Sequence, residues 1–222
     1  MPSRDATRRS DPTPSVTVDL ERAHAGTATT IAGVDEVGRG SWAGPLTVGA
    51  VVLDLDDVPI GLRDSKRLTP RRREALAAEI HQRAAVGFGE VSCGELDHVG
   101  LAAALRLAAV RAVDALPVAP DLVLIDGTVD LLAGHGVRTA TVVGGDDRSA
   151  SIAAASIVAK VRRDAEMCGY DGAHPRYGFA ANKGYPSPGH REALATYGPC
   201  ALHRRSWQPI RKLLTQPSLP WS

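Results

Sequence analysis

Asp35 and Glu36 stand side by side at the end of a short apolar run, Ile31-Ala32-Gly33-Val34, and lead into Gly38-Arg39-Gly40. A carboxylate carried into partly buried surroundings is costly unless a cation or a donor meets it. Glycines beside it let backbone N–H groups approach another molecule closely, and an arginine between them suits a phosphate. Asp126 follows a second apolar run, Leu122-Val123-Leu124-Ile125, and precedes Gly127. An acid at the C-terminal end of a buried strand stands where open α/β sheets bind ligands. Asp146 and Asp147 form a third acidic spot after Gly144-Gly145. Singly, each acid has an ordinary explanation as a solvated strand end, a turn-forming Asp-Gly or an acidic helix start. Together, three strand ends bearing carboxylates would repel one another unless divalent cations sat among them. Hard oxygen donors favour Mg²⁺ or Mn²⁺ over zinc, and two such ions suit hydrolysis of a phosphodiester. Asp35 and Glu36, as strand neighbours, start on opposite faces. Both reach one site only if the strand ends or bulges there, which Gly38 permits.

The elements that must position these acids can be read from the same pattern. Ile31 to Glu36 and Leu46 to Leu53 predict two Val-rich strands joined by a Gly/Pro turn. Thr69-Pro70 opens a helix, with threonine as N-cap and proline in the first turn. Val86 to Cys93 predicts a third strand, and Glu95 to Leu116 one long Ala/Leu helix ended by Pro117. Leu122 to Ile125 is a continuous apolar strand suited to a sheet centre, and Arg138 to Val143 a fifth strand. Ser149 to Met167 is another helix; shorter ones fall near His190 to Tyr197 and Pro209 to Leu214. The class is α/β: a mixed five-stranded sheet flanked by helices, with a small helical C-terminal extension.

Composition narrows the rest. The 222 residues include 26 Lys+Arg and 25 Asp+Glu, a net charge of +1, so bulk basicity cannot argue for nucleic acid. The basic residues are nevertheless clustered, at Arg71-Arg72-Arg73, Lys160 to Arg163 and His203-Arg204-Arg205. Cys93, Cys168 and Cys200 form no CxxC pair, which argues against a disulfide framework or a zinc site and fits a reducing cytoplasm. No apolar run reaches the roughly 18 residues of a membrane span, and no secretory h-region opens the chain. Residues 1–29, with balanced charges and three prolines, are expected to be a disordered arm. Residues 30–215 then form the catalytic domain and 216–222 a flexible tail. Ser65, Ser151 and Cys93 have no evident base partner, so a covalent nucleophile is not expected.

Gly33-Val34-Asp35-Glu36-Val37-Gly38-Arg39-Gly40 with Ala43-Gly44-Pro45 resembles the signature of bacterial ribonuclease HII. Further matches follow in order: Asp64-Ser65-Lys66, Leu124-Ile125-Asp126-Gly127, Gly145-Asp146, Ser151 to Ile157 with Ala159-Lys160 and Arg163-Asp164, Tyr177-Gly178-Phe179, Lys183-Gly184-Tyr185 and His203-Arg204-Arg205-Ser206. The resemblance spans roughly residues 31–212. It implies an RNase H-like fold, cleavage of the RNA strand of RNA–DNA hybrids, and incision 5′ to a ribonucleotide embedded in duplex DNA. It implies Asp35, Glu36, Asp126 and Asp146 as catalytic ligands of Mg²⁺ or Mn²⁺, Asp146 rather than Asp147 because of its interval to Ile152. Asp164 is the other acid in question, read otherwise as a helix partner of Lys160. It also implies that Gly38, Arg39 and Gly40 read a ribose 2′-hydroxyl and that Tyr185 stacks on the sugar at an RNA-to-DNA junction. Lys66, Lys160, Arg163 and Lys183 are then expected on phosphates. Ser187 replaces a threonine frequent in the family, keeping the hydroxyl, and Ser41-Trp42 fills a variable gap. A monomer is expected. The segment Gln216 to Trp221 faintly resembles peptides that dock on the bacterial sliding clamp, although a Pro-rich frayed end is the plainer reading.

Overall fold

The structure, a computed structural model, describes residues 16–215. In chain order the elements are α1 (Asp19–Ala25), β1 (Ile31–Val37), β2 (Leu46–Val52), α2 (Pro70–Arg83), β3 (Ala85–Val91), α3 (Cys93–Val99), α4 (Leu101–Asp114), β4 (Leu122–Asp126), β5 (Arg138–Val142), α5 (Ala150–Ala173), α6 (Phe179–Asn182), α7 (Pro188–Tyr197) and α8 (Gln208–Thr215). The five strands form one sheet in the order β3-β2-β1-β4-β5. β1 runs antiparallel to β2 and β2 to β3, whereas β1, β4 and β5 are parallel neighbours. The mixed sheet expected from the sequence is therefore present, and three strands deliver their C-terminal ends to one edge. Among the described residues no helix is long and apolar enough to cross a membrane.

Glycines set how closely the helices lie on this sheet. A Cβ at Gly33 would fall 2.1 Å from the Ser151 backbone and one at Gly49 2.7 Å from Ala155 O, so α5 rests directly on β1 and β2. On the opposite face a Cβ at Gly89 would fall 1.9 Å from Ala108 O, and one at Gly87 2.2 Å from Ala112 O, so α4 rests on β3. Alanines on the facing helices complete the fit: Ala153, Ala154 and Ala155 on one side, Ala104, Ala108 and Ala112 on the other, all fully buried. Two cores result. Val34, Val48, Val123 and Ile125 pack against α4, and Val51, Leu76 and Ile80 pack against α5.

The structure corrects two expectations. The single helix expected over Glu95 to Leu116 is two helices. Ser92 and Glu95 form a capping box that starts α3, and Gly100, at φ +80°, separates it from α4. Within the arm expected over residues 1–29, residues 16–29 are ordered and include α1. Its anchor is Glu21, fully buried, whose Oε1 accepts from Ser149 Oγ and from Ser151 N–H, both at 2.7 Å. A carboxylate at the N-terminus of the 24-residue α5 meets free N–H groups and the positive end of the helix dipole. Balanced charge along the arm concealed that one acid was directed inward. Residues 1–15 and the tail at 216–222 lie outside the described residues.

The C-terminal extension has its own small core of Tyr177, Phe179, Ala193, Leu194 and Ile210, joined to Ala43 and Met167. Within it His190 Nε2 and His203 Nε2 are 2.9 Å apart and both rings are buried. Cys200 N–H donates to His203 Nδ1, so the neutral His203 carries its proton on Nε2 and donates to His190. His190 in turn carries its proton on Nδ1, directed at Tyr185 O 2.9 Å away. Burial, and then the neighbouring His190, push the His203 pKa down to about 4.

Two outcomes follow from this packing. Gly33→Ala is expected to cost about 3 kcal/mol in urea unfolding, because backbone rather than a flexible side chain blocks the new methyl. His203 titrates lower when folded than when unfolded, so its stabilisation is complete above pH 6.5 and is lost as pH falls towards 4. Thermal melts between pH 7 and pH 4 are expected to fall accordingly. His203→Asn is expected to start lower at pH 7 and to fall less steeply.

Candidate active site

The parallel pairing of β1 with β4 sets Val34 level with Ile125, so Asp35 and Asp126 are the next residues at adjoining strand ends. Alternation along β1 turns Asp35 with Gly33 towards α5, and Glu36 with Ala32 and Val34 towards α4. β1 does not bulge, so the two neighbouring acids part, as strand geometry requires. Asp35 lies under α5 beside Ser156, whose hydroxyl favours the charged carboxylate and donates to Ser65 Oγ at 3.0 Å. Glu36, at the rim, lines two adjoining clefts. One, about 440 Å³, also holds Asp35, Gly38, Arg39, Gly40, Ser65, Lys66, Ser156, Lys160 and Tyr185. The other, about 480 Å³, holds Asp126 with Arg39 and an apolar wall from α4 that includes Leu101 and Leu105. Asp146 enters from the short 3₁₀ turn Gly145–Asp147 just before α5. Asp126 Oδ1 holds that turn in place by accepting from Gly145 N–H at 2.7 Å.

The electrostatics of this edge are those of crowded like charges. The Asp35 pKa is raised to about 8, chiefly by burial and further by Glu36, Asp126 and Asp146, against the opposing Ser156 hydrogen bond. Asp146 is raised as well, by burial and then by Asp64 and Asp126. Lys66 Nζ gives partial relief from 3.8 Å to both Asp64 Oδ1 and Asp146 Oδ2, while its side chain is 76% exposed. Among the described residues no three His, Cys, Asp or Glu side chains converge into a ready-made metal cage. The acids instead lean on local partners: Asp35 Oδ1 accepts from Glu36 N–H at 2.8 Å, and Asp126 accepts from Gly145. The set still fits a hard divalent cation. Its donors are all carboxylate oxygens, and one of them, Asp35, is a buried group whose pKa stays raised despite the Ser156 hydroxyl.

Other expected site residues divide. Tyr185 and Lys160 line the Asp35 cleft. Lys160 is held there by Asp164 at 2.6 Å, and Asp164 by Arg73 at 3.6 Å, so Asp164 is an ion-pair partner and not part of the acid cluster. Burial lowers the Lys160 pKa despite that partner. Asp147 points away and pairs with Arg67 at 3.1 Å. One expected phosphate contact is corrected. Arg163 is fully buried, with its guanidinium directed at backbone carbonyls and Ser41, so no phosphate reaches it. Lys183 Nζ turns to Cys168 Sγ and Ala180 O, beside Asp164 and away from the acids. Arg163 is a charge that reads as surface in one dimension and was recruited by the fold. Sequence reasoning passed over Ser156, Asp64 and Arg204 as site residues. Ser156 sits one turn before Lys160 on the same helix, Asp64 opens the quoted Asp-Ser-Lys motif, and Arg204 lay within a cluster read only as basic.

The family model described as Ribonuclease HII matches residues 32–210. The chain belongs to the ribonuclease HII family. It is 50% identical over 195 residues to the ribonuclease HII of Streptomyces avermitilis, covering 87% of this chain and 83% of that one. It is 52% identical over 196 residues to that of Ruegeria sp., covering 88% and 85%. Among solved structures, the ribonuclease H2 of Pyrococcus horikoshii superposes with a TM-score of 0.72 at 29% identity, over 83% of this chain and 97% of that one. The ribonuclease HII of Archaeoglobus fulgidus, solved as a complex with PCNA, superposes at 0.69 and 27% identity, over 81% and 95%. The RNase HIII structure Bst-RNase HIII in complex with Mn²⁺ superposes at 0.63 with 21% identity, a likeness of fold, over 94% of this chain and 75% of that one. The fold is thus RNase H-like, and the enzyme is an endonuclease of the ribonuclease H type. Ribonucleases HII depend on a divalent metal and cut the RNA strand of RNA–DNA hybrids.

The raised pKa of Asp35 carries a test. Its folded value lies above its unfolded one, so its contribution to stability is complete below pH 3.8 and is lost as pH rises through 8. In EDTA at pH 8, Asp35→Asn is expected to melt above the parent, and with Mg²⁺ supplied to cleave at least about a hundredfold more slowly than the parent. Mg²⁺ is expected to raise the parent's melting temperature more at pH 8 than at pH 5, and to raise that of the variant little.

Proposed function

We propose that this ribonuclease HII incises duplex DNA on the 5′ side of an embedded ribonucleotide, as well as cutting RNA–DNA hybrids, by two-metal hydrolysis. The observation that carries the reading is the buried carboxylate of Asp35, flanked by Glu36, Asp126 and Asp146, in one cleft with a Gly-Arg-Gly turn and Tyr185. Asp35, Glu36, Asp126 and Asp146 would hold the ions. Mg²⁺ or Mn²⁺ bound there would offset charge developing on the phosphate and make water a better nucleophile near neutral pH.

The chain's own groups supply orientation. Lys66, exposed beside Asp146, would reach a phosphate at the rim, and Lys160 faces the same cleft from its ion pair with Asp164. Backbone N–H groups of the Gly38-Arg39-Gly40 turn suit a ribose 2′-hydroxyl and its phosphate, since that hydroxyl is what separates RNA from DNA at one position. The Tyr185 ring offers a flat surface for the sugar at the RNA-to-DNA junction. Water attacks the phosphorus in line, the P–O3′ bond breaks, and the ends are a 5′-phosphate and a 3′-hydroxyl. The protein contributes positioning and electrostatics, without a covalent nucleophile.

A partner reading accompanies this one. The Archaeoglobus relative was solved bound to PCNA, and α8 leads directly into Gln216 to Trp221. We read that tail as a weak sliding-clamp contact, which deletion of residues 216–222 is expected to abolish in a clamp-binding assay.

Three duplexes of one sequence test the main reading: one with a single ribonucleotide, one a continuous RNA–DNA hybrid, one all DNA. With Mg²⁺ or Mn²⁺ the first two are expected to be cut and the third left intact. Asp126→Asn is expected to lower kcat at least about a hundredfold on both cut substrates. Tyr185→Ala is expected to lower cutting of the single-ribonucleotide duplex about tenfold or more while sparing the hybrid relatively. An uncut single-ribonucleotide duplex would refute the reading.

A further inference from the structure

Arg163 and Arg204 are both fully buried, and among the described residues neither lies within ion-pair distance of a carboxylate. Burying an unpaired cation is costly, so the groups that meet it are held firmly. Here those groups are backbone carbonyls of one loop. Arg204 Nε and Nη2 donate to Gly44 O at 3.1 and 3.0 Å, and Nη1 donates to Arg39 O at 3.2 Å. Arg163 Nη2 donates to Ser41 Oγ at 2.8 Å and Nε to Pro45 O at 2.8 Å. Ser41 Oγ then donates to Gly38 O at 2.9 Å, and Ser41 N–H reaches the same oxygen at 3.3 Å. Arg163 Nη1 also donates to Lys183 O at 3.0 Å, and Gly184 O accepts from Trp42 and Ala43 N–H. The segment bearing Tyr185 is thus tied to the same loop.

Peptide geometry converts these inward bonds into an outward surface. In a planar trans peptide the C=O and N–H point opposite ways, and the described chain contains no cis bond. With Gly38 C=O drawn in by Ser41 and Arg163, the Arg39 N–H is turned out. With Arg39 C=O drawn in by Arg204, the Gly40 N–H is turned out as well. No acceptor among the described residues takes either N–H, and a Cβ at Gly40 would meet nothing within 4 Å. Two successive free donors therefore face open space on the turn that lines the cleft beside Tyr185.

We propose that Arg204, and Arg163 acting through Ser41, are positioning residues that hold the Gly38-Arg39-Gly40 peptides with their N–H groups towards the cleft, and so set its preference for ribose over deoxyribose. This rests on the ribonucleotide reading above. It assigns part of the selectivity to side chains that never touch the substrate.

The test is equilibrium binding in EDTA, so that nothing is cut, of full-length protein to the single-ribonucleotide duplex and to the all-DNA duplex. Arg204→Lys keeps the charge and loses the fork; Ser41→Ala removes one hydroxyl and leaves both arginines. Each is expected to lower the ratio of the two affinities about three- to tenfold, with all-DNA affinity within about twofold of the parent. A purely structural role would weaken both duplexes equally, and an unchanged ratio in either folded variant overturns the proposal. Should Arg204→Lys fail to fold, Ser41→Ala decides. A parent protein that binds both duplexes alike has a different signature: the ribonucleotide reading itself falls, and this inference with it.

Discussion

Four carboxylates at one sheet edge constrain this molecule more than any other feature. Asp35 is buried beside Glu36, Asp126 and Asp146, and burial first, then those neighbours, push its pKa up to about 8. A fold selected for stability alone would place an apolar side chain there. The cost is accepted at the point where β1 and β4 end side by side and where the start of α5 brings in Asp146. The rest of the scaffold keeps that edge from relaxing. α5 rests on the bare backbone of Gly33 and Gly49, Glu21 caps its first turn from outside the sheet, and Asp126 fixes the turn that carries Asp146. Like charges carried on packed elements raise one another's pKa, as Asp35 and Asp146 show.

On the other side of the cleft the logic is inverted. There two cations are buried, and carbonyl dipoles rather than carboxylates surround them. The loop from Gly38 to Pro45 is thereby held against both the Tyr185 segment and the end of the C-terminal extension, with Trp207 Nε1 donating to Ser41 O at 2.5 Å. Gly184, at φ +80°, completes the contact, since a Cβ there would fall 2.2 Å from Ala43 O. The C-terminal extension is in this sense part of the cleft. Its His190–His203 pair reaches Tyr185 O, and its core continues through Met167 into the last turns of α5.

Much of the fold was legible because its signals are local. Val-rich runs bounded by glycine and proline mark the strands, and Thr69-Pro70 and Ser149 mark helix starts whose caps the structure shows. Where the reading went astray, the cause was a long-range partner. Glu21 became an anchor only because Ser149 and Ser151 lie 128 and 130 positions away. Arg163 read as a surface charge because nothing in one dimension shows that Pro45 or Ser41 will stand beside it. The break at Gly100 was local and still missed, since one glycine inside an Ala/Leu pattern is compatible with a continuous helix.

The sequence by itself determined the elements, the acids at strand ends and the motif set that identifies the family, because propensity, capping and spacing act over a few residues. Tertiary structure alone decided which of those acids share a field, that Asp164 belongs to Lys160 and Arg73, and that one arginine from each of two basic-looking stretches turns inward. Electrostatic coupling and the direction of a peptide N–H depend on what lies opposite in space. That is settled only when β1, β4, α5 and the C-terminal extension are packed together.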